Sequence, residues 1–196
     1  MRLAQDLRGT VITAILAALF TLAAPSILQL FTIITLTQVI GLAILALSLA
    51  LIWGFGGILS FGQTAFFGLG AYAYAISATN FGDSTVSILI AVAIGAAFAA
   101  ALGYFAFFGR VSDVYFAVIT LTVALILFSL MRRTSGPEYR IGDALLGGFN
   151  GTGAPPLNPP WNPSGFLFPE QVFYVAMGAL ILVYLVYAFS ALGVGG

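Results

Sequence analysis

The chain has 196 residues, 61% hydrophobic and 6% charged, and its six basic and six acidic side chains cancel to zero net charge. That balance lies far outside the range of globular domains and gives no basic or acidic run for nucleic acid or an anionic lipid surface. With no Cys and no His there is no disulfide framework, no thiolate, and neither the commonest metal ligand nor the commonest general base.

Between Arg8 and Asp83 there is no charged side chain at all. A bilayer core about 30 Å thick takes roughly 20 apolar residues per helical crossing, so this run alone accommodates three crossings. Backbone polar groups in hydrocarbon must be paired within the chain, which leaves helices or a closed barrel. Barrel strands alternate apolar and polar residues, whereas these apolar runs are continuous. The expected fold is all-α: a polytopic transmembrane helical bundle of about six spans, forming one transmembrane domain over residues 1–196.

The first span is expected over residues 10–24, closed by Pro25-Ser26. Arg2 and Arg8 before it, and Leu22-Ala23-Ala24 at its end, resemble a signal peptide; a retained signal anchor fits better because more spans follow. The second span covers residues 30–53, with Gln38 its one strongly polar side chain and Trp53 suited to a membrane boundary. Gly54 to Thr64 then form a glycine-rich break, followed by a third helix over 65–78 and a tight turn from Asn80 to Asp83. The fourth span covers 86–108, where Ala91, Gly95, Ala99 and Gly103 recur every four residues. Such a ridge of small side chains lets another helix approach closely, the usual means of association in lipid.

Arg110 to Asp113 form a charged connector in which those two residues can pair, and the fifth span runs over 114–131. The segment from Arg132 to Glu170 is proline-rich and cannot be one helix; it is expected as an external loop, with Arg132 and Arg133 anchoring the end of helix five. Trp161, Phe166 and Phe168 in that loop suit the interface. The sixth span covers 171–191. Counting charges over both sides gives a draw; discounting the long loop, as the positive-inside rule requires, puts both termini inside.

The stretch from Trp53 to Tyr72 carries the strongest functional signal. Irregular backbone at membrane depth is tolerated only where protein or a water-filled cavity covers it, and transporters use such breaks to present helix ends and backbone groups to a solute. A flexible connector between spans accounts for the same glycines. On the pathway reading, Gly57, Ser60, Gly62, Gln63 and Thr64 line or hinge the solute path. A zwitterion there meets helix-end partial charges rather than ionised side chains. Gln63 alternatively hydrogen-bonds a neighbouring helix, and Gln38 and Asn80 are expected to bond locally or between helices.

The run Trp53-Gly54-Phe55-Gly56-Gly57-Ile58-Leu59-Ser60-Phe61-Gly62-Gln63-Thr64-Ala65-Phe66-Phe67-Gly68-Leu69-Gly70-Ala71-Tyr72 resembles the signature of the inner-membrane permeases of branched-chain amino acid ABC importers; urea and short-chain amide permeases are similar. Val114-Tyr115-Phe116-Ala117-Val118-Ile119-Thr120-Leu121 and the loop Gly147-Gly148-Phe149-Asn150-Gly151 follow in the family's order. The resemblance covers about residues 42–151 and implies a permease subunit in the bacterial inner membrane. It also implies a second permease subunit, two cytoplasmic ATP-binding subunits and an external solute-binding protein. ATP is bound by the partners, so the chain itself is expected to carry no cofactor and no metal. Family order places the loop holding Gly147, Gly148, Asn150 and Gly151 outside, with Asn150 shaping the external mouth, and the N-terminus in the cytoplasm. The charged cytoplasmic segment that engages the ATPase does not follow helix six before Gly196, so the chain is expected to be part of a longer permease.

Other classes fit less well. An intramembrane serine or metal protease wants a His, and an aspartyl enzyme wants two acids within spans; Asp113 lies at a helix end and Asp83 in a turn. A coupled carrier usually buries an ionisable residue in a span, and no span here holds one. A passive channel for neutral solutes and a urea or short-chain amide permease stay open as alternatives.

Overall fold

A computed structural model describes residues 2–109 and 111–194. It contains six long helices, α1 (Arg2–Ile27), α2 (Leu30–Gly56), α3 (Gln63–Phe81), α4 (Ser84–Phe108), α5 (Asp113–Arg133) and α6 (Pro169–Val194), with a short hairpin, β1 (Arg140–Ile141) and β2 (Ala144–Leu145), between α5 and α6. The fold is therefore all-α apart from four strand residues. Five helices are long and apolar enough to cross a membrane: α1, α2, α4, α5 and α6. The expected third crossing is helical but falls short of that mark, because Gln63, Ser77, Thr79, Asn80 and several glycines dilute its apolar content.

Most helices start or stop a few residues beyond the expected limits, and the reasons are local. In α1 the helix continues two residues past Pro25, because a proline in the final turn removes one N–H and leaves the following bond, from Leu28 N–H to the Ala24 carbonyl at 2.8 Å, intact. In α2 the helix runs through Trp53 to Gly56, so the irregular stretch shrinks to residues 57–62. A helical glycine costs only about 1 kcal/mol relative to alanine, less than the apolar run before it gains by staying helical. Gly82 ends α3 in the left-handed region, its N–H bonding the Ala78 carbonyl, and the Asp83 carboxylate caps α4 by accepting from the Thr85 N–H at 2.7 Å. Helix α6 begins with Pro169 in its first turn, while Gln171 reaches back to accept the Phe168 N–H at 2.9 Å, the glutamine half of a capping box.

The chain divides into two compact units, residues 1–56 with 167–196, and residues 57–166. In the first unit α6 packs on both α1 and α2. Ala24, Ile33, Ile40, Phe173 and Met177 form its buried core, and Phe55 meets Tyr187 edge to face at 5.8 Å. In the second unit α3 is central, packing on α4, on α5 and on the hairpin. Its buried positions are Ala65, Ala73, Ala75, Ser77 and Ala78. Small side chains along a helix let its neighbours come close where lipid supplies no hydrophobic drive, and Phe66 fills the α3–α4 seam against Phe98 at 5.3 Å.

The loop after α5 is more ordered than its proline content suggests. Its hairpin pairs Arg140 with Leu145 and Ile141 with Ala144, across a two-residue turn at Gly142-Asp143 in which Gly142 has φ 62. Two asparagines bind this loop to the α3–α4 turn. Asn80 donates to the Ile141 carbonyl at 2.9 Å and accepts the Asp143 N–H at 2.9 Å. Asn158 accepts the Ser84 N–H at 2.8 Å and donates to the Gly82 and Pro163 carbonyls, while its own N–H bonds the Ser84 hydroxyl. Tyr74 meets the same hydroxyl at 3.0 Å.

Candidate functional site

The second unit holds a cavity of about 500 Å³, within the usual range for small-molecule sites. One wall is a face of α3, from Thr64 and Ala65 in its first turn through Gly68 and Tyr72 to Ile76, roughly 18 Å at the helical rise. The opposite wall is α5, with Ala124, Leu127, Phe128, Met131 and Arg132, and Ile94 of α4 contributes at one side. At the far end the loop closes it with Gly148, Phe149 and Gly151. The lining is almost wholly apolar; its polar features are the Thr64 hydroxyl, the Tyr72 phenol, the Arg132 guanidinium and loop backbone. It thus extends from the helix break to the glycine loop, two places far apart in sequence.

The expected pathway residues around the break occupy different settings. Gly57 takes a positive φ of 65 directly after α2. Ser60 is buried, and its hydroxyl has no hydrogen-bond partner among the described residues. Gly62 lies against α5: a Cβ there would stand 2.6 Å from the Thr120 carbonyl oxygen and 2.9 Å from its Cβ. Thr120 is itself buried, with its hydroxyl bonded to the Ala117 carbonyl at 2.9 Å. Gln63 is half-buried in the first turn of α3, and Thr64 is exposed to the cavity. No side chain caps this helix start, and Ala65 N–H turns back to the Gly62 carbonyl at 2.9 Å. The first-turn end of α3, with its positive partial charge, therefore adjoins the cavity through Thr64.

In the loop between α5 and α6, Gly147, Gly148 and Gly151 all have positive φ and form a tight 3-10 turn. Gly148 is buried against Ser135, whose Cα would be 2.8 Å from a Cβ at this position. Asn150 is exposed and does not line the cavity, its N–H bonding the Gly147 carbonyl at 3.2 Å. On α4, Gly95 and Gly103 have nothing within 4 Å of a Cβ position, so the ridge with Ala91 and Ala99 is not used for a close approach among the described residues. The expected Arg110–Asp113 pair lies outside the described residues, because Arg110 does. Gln38 is exposed on α2.

Sequence reasoning missed four lining side chains, Tyr72, Phe128, Arg132 and Phe149. One signal was present: Phe128 and Arg132 are four apart on a helix and so share a face. The Arg132 guanidinium carbon lies 5.4 Å from the Phe128 ring centre and 5.2 Å from that of Phe149, which ties the end of α5 to the glycine loop. Arg132 and Arg133 in the last turn also complement the helix dipole.

Long apolar helices, an interrupted stretch beside a cavity, and a loop folded over the cavity's end define a multi-pass membrane protein of the solute-transport class. The chain belongs to the family described as branched-chain amino acid transport system / permease component, whose model matches residues 31–194. No curated protein and no solved structure gave a match.

Proposed function

We propose that this chain is the transmembrane permease subunit of an ATP-driven importer for branched-chain or other apolar amino acids, in the bacterial inner membrane with its N-terminus in the cytoplasm. The observation that carries this reading is the cavity running from Thr64, at the helix break, to Gly148 and Gly151 in the external loop, in a chain of this family. An apolar lining suits an apolar side chain, and the uncapped start of α3 offers partial positive charge to a carboxylate at the inner end of the path, a position the solute reaches after leaving the outer end. Gly57, Ser60, Gly62, Gln63 and Thr64 form the inner end of the path; Gly148 and Gly151 line its outer mouth, and Gly147 and Asn150 act there only through the turn that holds them. The ridge Ala91, Gly95, Ala99 and Gly103 receives a neighbouring helix. A second permease subunit, two cytoplasmic ATP-binding subunits and an external solute-binding protein complete the transporter, and the ATP is held by those partner subunits.

The test is uptake of labelled leucine into membrane vesicles that carry the assembled transporter. Uptake should require ATP and the external binding protein, and Gln63→Leu should abolish it while the subunits still assemble. Uptake that persists without ATP would make the chain a passive channel, and uptake of urea in preference to leucine would make it an amide permease.

A further inference from the structure

Arg132 stands out once the cavity is drawn. Its guanidinium carbon lies 5.4 and 5.2 Å from the ring centres of Phe128 and Phe149, close enough for the cation to be attracted to both aromatic clouds. The guanidinium's N–H groups lie in its own plane, at its edge, and the side chain is exposed. Among the described residues no carboxylate, carbonyl or hydroxyl accepts from them. Among the described residues Arg132 is also the one charged side chain that lines the cavity. Its neighbour Arg133 shares the last turn of α5 but does not line the cavity, so an anchoring or dipole role, open to both, leaves the difference between them unexplained.

We propose that Arg132 is a carboxylate-recognition residue at the outer end of the cavity, selecting small apolar amino acids over neutral amides. The ligand's carboxylate meets the guanidinium edge in a two-point contact, which a planar fork makes and an ammonium does not. Its side chain lies along the apolar wall formed by Leu127, Met131 and Leu146. Urea or a short amide carries no carboxylate and gains nothing from the contact, so the residue separates the two solute classes that the break and the glycine loop leave open. This inference rests on the amino acid reading of the cavity given above.

The test is equilibrium binding of radiolabelled L-leucine to the purified full chain in lipid nanodiscs, with leucinamide and urea as competitors, beside ATP-dependent leucine uptake by the assembled transporter. Leucine should bind and should be displaced poorly by leucinamide and urea. Arg132→Gln should weaken leucine binding by about tenfold or more and abolish the preference for leucine over leucinamide while the chain stays folded. Arg132→Lys should restore only part of the affinity, and Arg133→Gln should leave it unchanged. Wild-type leucine binding in Arg132→Gln, no leucine binding by the wild-type chain, or a phospholipid that co-purifies in an Arg132-dependent way would overturn the proposal. Normal ATP-driven leucine uptake by Arg132→Gln would remove this site and leave the importer reading standing; failure of the wild-type transporter to take up any amino acid would remove the importer reading itself.

Discussion

Gly62 shows most directly how one residue fixes the geometry around the break. A methyl group at this position would meet the Thr120 carbonyl oxygen at 2.6 Å, and that oxygen belongs to the backbone of α5, which cannot swing aside as a side-chain tip would. Gly62→Ala should therefore destabilise the protein by about 1–3 kcal/mol, read as a lower unfolding temperature in detergent. Gly70→Ala in α3, where nothing lies within 4 Å, should be neutral or raise stability by about 0.5–1 kcal/mol. Equal effects at both positions would mean that Gly62 does not touch α5. The sequence marks this stretch as glycine-rich but does not say which glycine is required. That depends on what stands opposite, and Thr120 is a contact no local pattern contains. The same holds for Ser60, whose burial without a partner among the described residues is invisible in a run of residues but decided by the fold.

At the scale of elements, the long loop after α5 is held by two side chains rather than by a core of its own. Asn80 links the end of α3 to the hairpin through Ile141 and Asp143, and Asn158 joins the proline-rich stretch to the start of α4 through Ser84. Asn80→Ala should accelerate hydrogen exchange across residues 140–145 and cost about 1–3 kcal/mol. Asn158→Ala should instead loosen residues 158–163 and leave the hairpin protected. If neither substitution changes exchange in the loop, other contacts hold it down. Helix existence was legible from hydropathy for the five long apolar helices, because that signal is local and strong, and for α3 from the weaker apolar run between its glycines. The ends were less so: Pro25 reads as a stop yet lies inside α1, and Gly54 reads as a break yet stays in α2. In each case one unfavourable residue is outweighed by the apolar helix around it. The hairpin had a cue in the Gly142-Asp143 pair, a two-residue turn flanked by apolar residues, which the proline content of the surrounding segment obscured.

For the whole molecule, composition alone identifies lipid as the solvent, since no arrangement of these residues in water would bury the five long apolar helices. What composition does not reveal is the cavity, because its walls come from Thr64, Ala124 and Gly148, brought together only by the packing of α3 on α5 and of the glycine loop on the end of α5. Orientation is the other property that charge leaves undecided. The proposed topology, with the N-terminus in the cytoplasm, puts the connector before α5 inside and the glycine loop outside. Because the chain has no cysteine, each side can be probed by a single introduced thiol on a silent background. Asn150→Cys is exposed at the loop surface and Ser112→Cys is exposed at the start of α5. In intact cells whose outer barrier has been opened, a membrane-impermeant maleimide should label Asn150→Cys, and it should reach Ser112→Cys only after the inner membrane is made permeable. The reverse pattern would invert the chain, placing the Arg132 end of the cavity in the cytoplasm, where an importer releases its solute rather than receives it.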